Sequence, residues 1–120
     1  MSLRQGDIVI DCADHDVVAP FWQAALGWER QEFNAQYVAL IPPTDELEAA
    51  APRPVPMLVQ KVPDPKIGKN RMHLDFRSSD RLAEVARLVA LGARERRTRS
   101  LGASTWTVME DPEGNEFCVL

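Results

Sequence analysis

The sequence predicts one α+β domain built from two βαβββ modules, and three observations carry this prediction. The chain has 120 residues, 45% of them hydrophobic, which suits a single globular core. Each half begins with a strand-like run in which apolar and polar residues alternate. Each half continues into a helix that ends at Leu-Gly (Leu26-Gly27 and Leu91-Gly92), and three strands follow. Neither half could bury its sheet alone. We therefore expect the modules, about residues 5–62 and 70–120, to share a core in one domain spanning 1–120.

The first module begins with the run Asp7–Cys12, whose period of two predicts a strand with one face on a core. The run Asp14–Asp16 offers N-cap carboxylates to a helix that Gly27 ends. Pro20 is tolerated only in the first turn of a helix, so we expect the regular helix to start late. Three strands are then expected at 28–33, 36–41 and 57–62. A loop over 42–56 holds five prolines, with room for one helical turn at 46–51.

The second module begins with a strand over 71–78, with His73, Asp75 and Arg77 on one face. Ser79 or Asp80 caps the next helix. Strands are expected at 93–99, 104–109 and 115–120. The sequence Asp-Pro-Glu-Gly at 111–114 predicts the turn before the last strand, because Pro pre-sets φ and Gly permits the reversal.

Charge and composition exclude several classes of function. A net charge of −4 and a pI near 5.1 argue against nucleic acid, and we interpret the local arginines of 94–99 as a solvated strand face. No apolar run approaches the roughly 20 residues that span a bilayer, and no signal peptide is visible, so we expect a cytoplasmic protein. Cys12 and Cys118 form neither a disulfide framework nor a zinc-binding spacing.

Four segments together resemble one known family: FWQAALGWE at 21–29, KNRMHLDF at 69–76, EVARLVALGA at 84–93 and WTVMEDPEGNEFCVL at 106–120. They resemble the glyoxalase-like branch of the vicinal oxygen chelate superfamily, which includes bleomycin resistance proteins and dioxygenases. The resemblance implies an eight-stranded curved mixed sheet, a homodimer and a cavity for a small-molecule ligand. It also implies, for many members, a divalent metal held by two residues from each module. No organic cofactor site is implied.

The resemblance also places candidate site residues. The first metal ligand of each module falls at Asp7 and at His73. The second falls at Gln60 in the first module and at Cys118 in the second, where the family has a carboxylate. Glu116 lies two residues earlier, on the same face as Cys118 by period two. We therefore predict a divalent metal held by Asp7, His73 and Glu116, since hard divalent ions prefer carboxylate and imidazole ligands, with Glu116 also as the catalytic base.

The remaining predicted pocket residues are Gln60, Asp75, Trp106 and Cys118. Two interpretations of the pocket stay open: His73 as a metal ligand or as a hydrogen-bonding pocket residue.

Three candidate functions remain open for the chain. The first is a metal-assisted lyase or isomerase, though not glyoxalase I itself, whose ligand positions are altered here. The second is a metal-free binding protein of the drug-sequestering kind, for an apolar or cationic ligand. The third is an interaction module without a ligand.

Overall fold

The computed structural model describes residues 2–45 and 54–120, which fall into two compact units, residues 1–65 and 66–120. The boundary falls between the two predicted modules, about 5–62 and 70–120. In the described residues, each unit is a four-stranded mixed sheet with one long α-helix. The helical turn expected at 46–51 lies outside the described residues.

The first unit consists of β1 (Ile8–Cys12), α1 (His15–Leu26), β2 (Glu29–Glu32), β3 (Tyr37–Ile41) and β4 (Met57–Lys61). Its strand order is β1-β4-β3-β2, with β1 parallel to β4 and the other pairs antiparallel. The predicted alternation in β1 is confirmed: Cys12 is buried, while Val9 and Asp11 are exposed. The buried side chains of the sheet pack with α1, where the rings of Phe21 and Trp22 meet edge to face at 5.1 Å.

Helix α1 starts earlier than predicted, and Pro20 lies inside it. The helix begins at His15, after Asp14 caps it by accepting a hydrogen bond from the Asp16 N–H. Pro20 is exposed and removes one helical hydrogen bond, the one to the carbonyl of Asp16. Its neighbours Val18, Ala19, Phe21 and Trp22 are all buried, and this burial offsets the lost hydrogen bond. The prediction of a late start was wrong because it weighed the proline without the packing around it.

The second unit consists of β5 (Leu74–Phe76), α2 (Arg81–Leu91), β6 (Arg94–Leu101), β7 (Ser104–Glu110) and β8 (Glu116–Val119). Its strand order, β5-β8-β7-β6, and its one parallel pair, β5 with β8, repeat those of the first unit. The prediction of two βαβββ modules is thereby confirmed. Strand β5 is shorter than the predicted 71–78, so His73 precedes it directly.

The two faces of the second sheet differ in character. One face packs under α2, and its side chains are buried: Thr107, Met109, Phe117 and Val119. There Arg81 of α2 donates to the Thr107 hydroxyl at 2.6 Å. The opposite face, which we call the site face, carries a row of register partners, one from each strand: Asp75, Cys118, Val108 and Arg97.

The turn before β8 is held by a buried carboxylate. Asp111 is 1% exposed, and its side chain accepts hydrogen bonds from the backbone N–H groups of Glu113 (2.9 Å) and Asn115 (3.0 Å) and from the Asn115 amide (2.9 Å). Gly114 has φ of 90°, a left-handed conformation that favours glycine. The predicted reversal is confirmed, and it fixes where β8 begins.

Candidate functional site

A cavity of about 390 Å³ lies on the second unit. Its lining combines four cationic and two anionic side chains with one apolar side chain and two glycines: Lys66, Lys69, Arg96, Arg97, Glu110, Glu116, Val108, Gly68 and Gly114. The lining therefore carries two positive charges in excess, although the whole chain carries a net charge of −4. A volume of this size suits a small organic molecule.

Glu116 is one of the two carboxylates of the cavity, and its oxygens are both engaged. One accepts a hydrogen bond from the Lys66 ammonium at 3.1 Å, and the other from the backbone N–H of Asn70 at 3.0 Å. Burial alone would raise the pKa of Glu116, but these hydrogen bonds and the charge of Lys66 outweigh burial and lower it. Glu116 is therefore ionised at neutral pH and is a weaker base than an ordinary glutamate.

The second carboxylate, Glu110, stands opposite Glu116 across β7 and β8. Like charges in this position repel, and each is offset by its own cation. Arg96 Nε lies 3.5 Å from a Glu110 oxygen, and Lys66 Nζ lies 3.1 Å from a Glu116 oxygen. An irregularity in the pairing of β6 between Glu95 and Arg97 leaves Arg96 without a register partner on β7. This bulge lets both Arg96 and Arg97 line the cavity, which strict alternation would forbid.

Lys69 and Arg97 carry the two excess positive charges. Within residues 2–45 and 54–120, neither has a carboxylate at ion-pairing distance, and the Lys69 ammonium donates only a long 3.4 Å hydrogen bond to the Asn70 carbonyl. Sequence reasoning missed both residues as site residues. The predicted solvated face of 94–99 is confirmed, since every residue of β6 is exposed. That Arg97 also lines the cavity was not predicted, because neither the bulge nor the course of residues 66–70 can be read from periodicity.

A second cluster on the site face unites three of the predicted site residues. His73, Asp75 and Cys118 offer ligand atoms that all lie within 4.8 Å of one another. The Nε2 of His73 and a carboxylate oxygen of Asp75 are 3.3 Å apart, and both side chains are well exposed. Cys118 is 5% exposed. Its register partner on the adjacent strand β7, Val108, lines the cavity. The cluster and the cavity are thus adjacent.

The environment of the Cys118 thiol is mixed. Burial raises its pKa, and the charge of Asp75 and a hydrogen bond with it raise the pKa further, while the positive charges of Lys69 and Arg97 lower it in part. The net effect is a raised pKa. Cys118 is not part of a disulfide in the described chain. A raised pKa makes Cys118 a poor nucleophile unless a cation binds it.

The remaining predicted residues lie elsewhere in the described chain. Asp7 is exposed just before β1, and Gln60 is half-buried on β4 opposite Asp11, both in the first unit. Trp106 is half-buried on β7 opposite Arg99. The roles proposed for Asp7, Gln60 and Trp106 stay predictions.

Comparisons with known proteins place the chain in a family. The model of the glyoxalase-like domain matches residues 7–120, and the chain belongs to that family, within the vicinal oxygen chelate superfamily. The resemblance that the sequence suggested is confirmed. No curated protein sequence matches the chain significantly.

Solved structures share the fold at low sequence identity. The fosfomycin resistance protein FosX from Listeria monocytogenes is 15% identical, with a TM-score of 0.74, covering 99% of this chain and 93% of that one. A point mutant of that protein, complexed with Mn(II) and 1S,2S-dihydroxypropylphosphonic acid, is 13% identical, with a TM-score of 0.77, covering 99% and 90%. A glyoxalase-related enzyme from Fulvimarina pelagi is 15% identical, with a TM-score of 0.68, covering 97% and 86%. At these identities the likeness establishes the fold alone. None of the described helices is long and apolar enough to span a membrane.

Proposed function

We propose that this glyoxalase-like protein binds a small organic anion in the cavity of its second unit. The observation that carries the proposal is the charge of the lining. Glu110 and Glu116 are each matched by a cation in contact, whereas Lys69 and Arg97 face the cavity without a carboxylate at ion-pairing distance among the residues that the structure describes. A ligand with one carboxylate, phosphate or phosphonate group would neutralise them, because guanidinium and ammonium groups donate charge-assisted hydrogen bonds to such oxyanions.

The excess positive charge of the cavity lining disfavours a cationic ligand, which the net negative charge of the chain had suggested. Long-range charge steers encounter, but affinity depends on the groups that contact the ligand. Here each carboxylate of the lining is paired with a cation, so Lys69 and Arg97 are the charged groups left to contact the ligand. The FosX point mutant complexed with a phosphonic acid is a precedent for an organic anion bound by this fold.

Calorimetric titration tests the proposal with a matched pair of probes. Phenylphosphonate and benzylamine have the same ring and opposite charge, and both are titrated into chelator-treated protein, so that no metal contributes. We expect phenylphosphonate to bind and benzylamine not to bind. Equal binding of the two, or binding of benzylamine alone, contradicts the proposal.

A metal-assisted lyase or isomerase is the second candidate function, and the observation that favours it is the exposed His73 beside a cavity. The set predicted from the resemblance is Asp7, His73 and Glu116, and a metal held there would polarise neighbouring oxygens of a substrate. Glu116 is ionised and able to accept a proton, but both of its carboxylate oxygens already accept hydrogen bonds, one from Lys66 and one from the Asn70 N–H. Metal analysis of untagged protein tests this candidate: tight binding that His73→Ala leaves unchanged rules it out.

The assembly and location of the chain follow from the resemblance and from the sequence. We propose a homodimer, as is frequent in the family, and a cytoplasmic location. Sedimentation equilibrium measures the assembly directly, and a mass equal to one chain at micromolar concentration contradicts the dimer.

A further inference from the structure

We propose that Glu116 is a positioning residue of the anion cavity: it holds in place residues 66–70, which supply part of the cavity wall and carry Lys69. We call residues 66–70 the connector. The inference rests on the proposed function, because it concerns the same cavity. It gives Glu116 a role that differs from the predicted metal ligand and catalytic base, since this role needs neither a metal nor a proton transfer.

The connector has no regular secondary structure, and in the described parts of the chain every hydrogen bond that ties it to another segment is accepted by Glu116. The Lys66 ammonium donates to one carboxylate oxygen at 3.1 Å, and the Asn70 N–H donates to the other at 3.0 Å. The Asn70 side-chain amide donates to the Glu116 backbone carbonyl at 3.5 Å. The carboxylate therefore holds the connector at both of its ends.

The connector contributes three residues to the cavity lining: Lys66, Gly68 and Lys69. Lys66 also donates a hydrogen bond to the Gly68 carbonyl, and Gly68 has φ of 71°, so the connector turns back on itself at this point. Lys69 directly precedes Asn70, whose N–H is bound by the Glu116 carboxylate. Arg97 is held by the pairing of β6 with β7, whereas the position of Lys69 depends on this one carboxylate.

Glu116 itself lies at a fixed point of the sheet. It is the first residue of β8, it pairs with Glu110 on β7, and its side chain is only 13% exposed. The turn held by Asp111 fixes where β8 begins. A segment that is ordered before the ligand arrives loses less conformational entropy on binding, so anchoring the connector raises the affinity of the cavity.

Charge and positioning predict opposite effects for the removal of Glu116. If only charge matters, deleting a carboxylate and freeing Lys66 strengthens the binding of an anion. If Glu116 positions Lys69, its removal weakens binding, because only a fraction of the molecules then hold the ammonium in place. Glu110 is the matched control: it lines the same cavity with a side chain that is 16% exposed, but it pairs with Arg96 on β6 and not with the connector.

Calorimetric titration of the chelator-treated full-length chain with phenylphosphonate separates the two effects. We expect Glu116→Ala to weaken binding roughly threefold to tenfold. Glu110→Ala, which frees a cation and leaves the connector anchored, should strengthen binding roughly two- to fivefold. In Glu116→Gln the amide oxygen still accepts the Asn70 N–H and the negative charge is gone, so this variant should bind at least as tightly as the wild type.

Hydrogen exchange of the ligand-free variants measures the anchor itself. We expect the Asn70 amide to lose its protection in Glu116→Ala and to keep it in Glu116→Gln and Glu110→Ala. Unchanged protection in Glu116→Ala overturns the inference. Phenylphosphonate affinity that is equal in Glu116→Ala and Glu116→Gln, or that is not reduced in Glu116→Ala, overturns it while the proposed function stands. No binding by the wild type removes the proposed function, and this inference with it.

Discussion

Replacing Arg97 by glutamine is the sharpest perturbation of the cavity. The change removes one of the two uncompensated charges and keeps a polar side chain of similar length on β6. A hydrogen bond to a charged group contributes about 1.5–3 kcal/mol, and Arg97 is exposed, so solvent screening favours the lower part of that range. We expect a loss of about 1–2 kcal/mol, which is roughly a 5- to 30-fold weaker affinity for phenylphosphonate.

Isothermal titration calorimetry of phenylphosphonate measures this loss, with Arg99→Gln as the control. Arg99 lies on the same strand and face, carries the same charge and lies outside the cavity lining. Its replacement changes only the long-range potential, which salt screens over about 8–10 Å, so we expect less than about a threefold effect. Equal losses in the two variants would refute a local contact with Arg97. Unchanged binding in Arg97→Gln would refute the assignment of the anion site.

Three further predictions concern stability and are measured by chemical denaturation. Phe117→Ala should lower the free energy of unfolding by about 3–5 kcal/mol, because Phe117 is 2% exposed, whereas Phe33→Ala at a 67% exposed side chain should change it by less than about 0.5 kcal/mol. Asp111→Ala should cost about 2–4 kcal/mol, since three donors lose their acceptor; a cost below about 1 kcal/mol would contradict its role in the turn. Glu84→Gln should cost only about 0.3–0.5 kcal/mol at neutral pH, because solvent screens the exposed pair with Arg87. The hydrogen bond from Arg87 lowers the pKa of Glu84, so this contribution is present above the ordinary pKa of glutamate and should disappear as pH falls through the lowered pKa; a difference that persists in acid would contradict it.

The sequence was sufficient for the architecture because the repeat is a pattern of local signals. Leu-Gly at the end of each helix reflects a backbone requirement: Gly27 and Gly92 both have positive φ. Alternation along β1 and the turn residues near Gly114 are local in the same sense. The predicted start of α1 was wrong because the hydrogen bond that Pro20 removes can be read from the sequence alone. The burial of Phe21 and Trp22 that offsets this loss depends on the sheet and cannot.

The site could be predicted only in part, because its residues meet through strand register. His73, Asp75 and Cys118 were each identified as site residues, but their convergence depends on the pairing of β5 with β8. Arg97 is exposed, as predicted, but its place in the cavity lining was not predicted, since a bulge in β6 is invisible in a run of charged side chains. Lys69 lies in a connector whose course no periodicity describes.

The most direct test of the anion cavity is a titration of the isotopically labelled protein with phenylphosphonate, followed by amide chemical-shift mapping. We predict that the shifted amides cluster at 66–70, 96–97, 108–110 and 114–116, the segments that contain the cavity lining. Binding at these segments supports an anion site built from Lys69 and Arg97. Shifts confined to the first unit, or no shifts at millimolar phenylphosphonate, would contradict it.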